Sequence, residues 1–221
     1  MDFETHVLFS FTAGIAAMIG WIRIRKTDPA FFPFILLLTI GFVTELISFA
    51  VMKKGYSNAL FYNLFVLTEA LLVTQLFYRL GLFQHKKAFY LLQFFYVLFW
   101  VCEYVYRWNA TVFLSFFIVL FSSILVFQAI DLMHRVLFTT PHQLYTNPVF
   151  LICMGLIVYF TYTILVEIFW FYGLNQSRVF RQRIYEVFSY INLFTNILFI
   201  LATLWIPLKR EYILRSLQEA S

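Results

Sequence analysis

Long apolar runs separated by short polar stretches set the pattern of this chain. A bilayer core of ~30 Å takes ~20 apolar residues wound as a helix. The runs therefore predict seven membrane-spanning helices, at about Val7–Ile22, Ala30–Met52, Ala59–Tyr78, Ala88–Tyr106, Ala110–Leu132, Pro148–Tyr172 and Tyr185–Leu208. The punctuation agrees with those limits. "TDP" precedes the second run, and Pro207 closes the seventh. In "YTNP", Asn147 suits an N-cap and Pro148 the first turn of the sixth helix.

Composition supports the membrane reading. The chain is 62% hydrophobic and 12% charged, where an average globular domain carries roughly 25% charged residues. Its 30 Phe and 14 Tyr suit lipid-facing and interfacial positions. The expected fold class is all-α, a polytopic membrane protein in the plasma (inner) membrane, with residues 1–221 forming a single helical-bundle domain. The opening "MDFETH" is acidic, whereas a cleavable signal peptide begins on basic residues. Cys102 and Cys153 lie in separate apolar runs, with no CxxC or zinc spacing. The net charge of +5 is scattered over the ends of the runs. Nucleic-acid binding would need a contiguous basic face.

Charge also orients the bundle. Ten of the sixteen Lys and Arg fall on the side of the C-terminus and six on the other, which by the positive-inside rule predicts N-out and C-in. "NQSRVFRQR" is the discordant piece, with three arginines on the outer side. In the tail "KREYILRSLQEAS", Ile213, Leu214 and Leu217 share one helical face, as in a segment lying on the membrane surface.

Ionisable residues inside a span are costly and are usually paired or functional. Glu45, Glu69, Glu103, Glu167 and Glu186, with Asn192 and Asn196, fall in the outer half under this orientation, and Asp131 at the inner end. Helical spacing puts Tyr62, Val66 and Glu69 on one face of the third helix, with Asn63 beside them. Tyr185, Ser189, Asn192, Asn196 and Thr203 form a polar stripe on the seventh, and Thr163 and Glu167 one on the sixth. These faces should turn inward, because lipid cannot satisfy them. The expectation is a polar, outward-opening pocket walled by the second, third, sixth and seventh helices.

Simpler readings exist for several of these residues. Asparagines and serines on membrane helices also bond neighbouring helices, and Glu103 with Arg107 has the spacing of a rim ion pair. Glu45, Glu69 and Glu167 differ, since no basic residue shares their depth. Each must be protonated, hydrogen-bonded, or bound to a cation. The candidate ligand- or ion-binding set is thus Glu45, Glu69, Glu167, Tyr62, Asn63, Asn192 and Asn196.

Other chemistry is absent from the sequence. Every lysine lies at the edge of a run, so none is placed for a retinal Schiff base, and the four histidines lie at ends or in loops. No GxSxG, HExxH or P-loop pattern occurs. No catalytic residue, metal or cofactor is expected. Ala13, Ala16, Ala17 and Gly20 have the small-residue spacing of close helix packing. One internal echo pairs "YNLF" of the third run with "YINLF" of the seventh, and Pro33 and Gly41 with Pro148 and Gly155. Parallel transporter repeats would leave such a trace.

In plan, seven spans with short loops, the chain resembles heptahelical receptor and sensor proteins. It also resembles the small sugar transporters built from three, one and three helices. The receptors' Asp-Arg-Tyr and Asn-Pro-x-x-Tyr patterns and the transporters' Pro-Gln loop do not occur. "YNLFVLTEALL" and "NPVFLICMGLIVYF" resemble bacterial seven-span proteins to which no chemistry is attached. The first expectation from the residues is a sensor or receptor-like protein that binds a small cationic ligand or protons in the outer pocket and acts through a separate partner at its inner loops. The same carboxylates would equally serve a proton, cation or small-solute transporter, and paired carboxylates could serve an intramembrane lipid enzyme.

Overall fold

The computed structural model describes residues 3–109, 111–139, 141–171 and 177–208. Within them the chain forms seven α-helices: α1 (Phe3–Arg23), α2 (Phe32–Lys53), α3 (Ala59–Arg79), α4 (Lys86–Arg107), α5 (Ser115–Thr139), α6 (Pro148–Phe171) and α7 (Arg178–Trp205). Six are long and apolar enough to cross a membrane, and the described apolar stretch of α1, Phe11–Arg23, is shorter. The protein is a helical membrane bundle. The tail after Leu208 and the side chain of Arg178 lie outside the described residues.

Neighbour packing gives the arrangement. α1 touches α2 and α7, α2 touches α3, α3 touches α5, α5 touches α6 and α6 touches α7, which closes a ring of six. α4 packs on α3 and α5 from outside that ring. Its outer face exposes Tyr90, Leu91, Phe94, Leu98, Val101 and Val105, a surface suited to lipid. The triples α1–α2–α3 and α5–α6–α7 therefore repeat one neighbour pattern around a common centre.

Small residues allow the close approaches. A Cβ added at Gly14 would stand 2.8 Å from the Phe42 ring, and one at Gly20 would meet Ile35 at 3.0 Å, so α1 lies tight on α2. A Cβ at Gly155 would come within 2.7 Å of the Phe199 ring. Phe199 in turn meets Phe34 edge to face, with centroids 5.3 Å apart. This α2–α6–α7 contact plugs the ring toward the end where α2 begins and α7 finishes.

Two helix starts differ from the hydrophobic pattern. α5 begins at Ser115 rather than Ala110 because α4 ends on Trp108 in the left-handed region, φ 46°. Asn109 then accepts hydrogen bonds from the amide and hydroxyl of Thr111, a bonding pattern of turns; Ala110 itself lies outside the described residues. α7 begins at Arg178 rather than Tyr185, with the Ser177 hydroxyl accepting the Phe180 amide at 3.3 Å. Its arginine-rich first turns read as loop by hydropathy, yet they are helical. At α6, the Asn147 side chain accepts the amides of Val149 and Phe150, the N-cap that "YTNP" suggests.

The end of the bundle nearest the chain's last described residues is laced by arginines onto backbone carbonyls. Arg23 donates to Thr203 O at 2.6 Å, to Leu204 O, and to Ile206 O at 3.3 Å, a cation at the carbonyl end of α7. The Asp28 amide donates to Pro207 O at 3.0 Å, and Thr27 pairs with Leu208 as an antiparallel bridge. Arg79 donates to Pro29 O at 2.8 Å and Arg135 to Gly81 O at 3.4 Å.

Candidate functional site

Above the Phe34–Phe199 plug, the ring encloses a cavity of about 200 Å³. Helices α1, α2, α3, α6 and α7 contribute its walls. Leu37, Leu38, Leu156 and Phe199 form the deep apolar part, and Met52 and Asn58 stand at the level of the α2–α3 turn. Glu45, Glu69, Tyr62, Asn192 and Asn196 all line it, so five of the seven sequence candidates share one space.

Their environments are unequal. Glu69 is buried at 8% exposure, and no described residue hydrogen-bonds or ion-pairs with its carboxylate. Glu45, two turns before the C-terminal end of α2, is exposed at the cavity wall. The Asn196 amide donates to Thr12 Oγ1 at 2.9 Å and Phe9 O at 3.3 Å, so this residue ties α7 to α1 while facing the cavity. Thr195, which spacing arguments passed over, also lines the cavity. It is 2% exposed, and its hydroxyl has no hydrogen-bond partner among the described residues. A buried polar atom left unsatisfied calls for an explanation, and a ligand or water in the cavity would supply one.

Glu167 stands elsewhere. It lines an adjoining chamber of about 370 Å³ with Thr163, Trp170, Tyr185, Arg107 and Ser115. Tyr62 and Asn58 line both spaces. The three acids thus occupy two neighbouring chambers, with Tyr62 at their boundary held edge to face on Phe113 at 5.4 Å.

Asn63 lines neither space. It is 1% exposed. Its Nδ2 donates to Val112 O at 2.9 Å, and its Oδ1 accepts the Leu114 amide at 3.1 Å. Trp100 Nε1 donates to its backbone carbonyl at 2.9 Å. Asn63 therefore clamps α3 to the turn before α5, with both its side-chain nitrogen and oxygen engaged there. Glu103 does more than form the rim pair that spacing suggests. It accepts the amides of Phe116 and Phe117 at 3.2 and 2.6 Å and lies 3.5 Å from Arg107. A carboxylate from α4 thus caps the N-terminus of α5, where backbone amides favour negative charge.

Lys53 stands over the Phe49 ring at 5.9 Å, at the C-terminal end of α2. Among the described residues no group of three or more His, Cys, Asp or Glu is placed to hold a metal. No protein family, curated relative or solved structure matches this chain.

Proposed function

We propose that the protein is a seven-helix, receptor-type membrane protein that binds a small cation or hydrogen-bond donor in its central cavity. The observation that carries the reading is Glu69: a buried carboxylate on a cavity wall with no hydrogen-bond or ion-pair partner among the described residues. An ionisable group held unpaired at membrane depth is costly, and a ligand with positive charge or donors would offset that cost. Glu45, Tyr62 and Asn192 supply further polar groups to the same space, and the Thr195 hydroxyl adds one more. The apolar plug beneath, and the arginine lacing at the far end, favour a receptor over a conductor. Occupancy would be relayed to a separate partner at the inner loops, with the N-terminus outside.

A second reading has its own support. The two helix triples repeat one neighbour pattern about the cavity, with α4 outside, which is what a carrier built from parallel repeats needs. Flux in liposomes separates the two. Purified protein is reconstituted and proton and sodium movement are followed beside protein-free vesicles and the Glu69→Gln variant. The receptor reading expects no flux above the protein-free control. Flux that Glu69→Gln abolishes would overturn it in favour of a carrier.

A further inference from the structure

The chamber around Glu167 differs in chemistry from the central cavity. Five aromatic side chains line it: Tyr62, Phe113, Trp170, Tyr185 and Phe188. Trp170 Nε1 donates to the Tyr185 hydroxyl at 3.2 Å, which fixes these two side chains relative to each other. Phe188 stacks on Tyr162 at 5.9 Å, and the Tyr162 hydroxyl donates to Ile184 O at 3.1 Å, so the α6–α7 wall is also held in place. Glu167 contributes a carboxylate among these rings.

Among the described residues that line the chamber Arg107 is the one cation, and Glu103 stands beside it. Arg107 lies 3.5 Å from Glu103 and 5.2 Å over the Phe116 ring. With Glu103 and Arg107 offsetting each other, Glu167 is the acidic group that the described residues present to these rings. Aromatic faces attract cations through their quadrupole, and quaternary ammonium groups are recognised this way. A volume of about 370 Å³ falls within the range of small-molecule sites.

We propose that the Glu167 chamber is a second binding site, for an organic ammonium group, enclosed by the Trp170, Tyr185, Phe188, Phe113 and Tyr62 rings. It stands whether or not the central cavity takes a ligand. The ammonium could belong to a soluble alkylamine or to a lipid headgroup, since both carry the same recognised chemistry.

The test is equilibrium binding of radiolabelled tetraethylammonium to the purified full chain in non-ionic detergent. The expected result is saturable binding that weakens about ten-fold or more in Glu167→Gln and in Trp170→Ala. Trp170→Phe, which keeps an aromatic wall, should stay within about three-fold of native, and Glu69→Gln within about two-fold. Each variant is checked for native elution by size exclusion. Competition by phosphatidylcholine but not phosphatidylglycerol would identify a lipid headgroup as the source, and no competition a soluble amine. Absence of saturable binding, native affinity in Glu167→Gln, or equal loss in Glu69→Gln would overturn the proposal.

Discussion

Glu103 and Glu69 are buried almost equally, at 6% and 8% exposure, yet they belong to opposite kinds of region. Glu103 sits in the corner where α3, α4 and α5 meet. There it accepts two α5 amides and pairs with Arg107, while Asn63 clamps the turn just before. Every polar group of these two side chains has an assigned partner. Glu69 faces the central cavity with none among the described residues, beside a Thr195 hydroxyl that is equally unpartnered. Burial alone does not separate the two acids; the partners do. A carboxylate that satisfies backbone amides holds the fold together. One that satisfies none of the described residues is available to something else.

That contrast can be broken by substitution. The largest effect should come from Asn63→Ala, which orphans the Val112 carbonyl and the Leu114 amide and leaves a gap at a buried position. A loss of about 3 kcal/mol is expected, read as lowered resistance to denaturation in detergent. Glu103→Gln keeps the side chain's shape but removes the charge that meets the α5 amides and Arg107. It should cost about 2 kcal/mol. If Glu103→Gln were neutral, the α4 carboxylate would not be what fixes the start of α5.

The bundle was legible in the sequence because apolar runs near twenty residues have few other uses. The misplaced starts of α5 and α7 have a common physical cause. Hydropathy reports where apolar residues begin, whereas helices begin where amides find caps, such as Glu103 from another helix or Ser177 before three arginines. The shared cavity of Glu45, Glu69, Tyr62, Asn192 and Asn196 followed from depth and face, both of which spacing encodes. Asn63 and Glu167 escaped that logic. Asn63 sits one position from Tyr62, but its amide turns to the backbone of a turn nearly fifty residues away in sequence, which no local spacing records. Glu167 matches the other acids in depth, but the boundary at Tyr62 and Phe113 exists only in three dimensions. Thr195 could have been found, since it stands three residues after Asn192 on the same helix.

The smallest expected effect is the most informative. Glu69→Gln and Glu103→Gln should be unfolded side by side in the same detergent, each against the native chain. The account expects Glu103→Gln to lose about 2 kcal/mol and Glu69→Gln to change by no more than about 0.5 kcal/mol or to gain stability, because it removes an unpaired buried acid. A loss in Glu69→Gln as large as that in Glu103→Gln would contradict the claim that Glu69 is held for a ligand rather than for the fold.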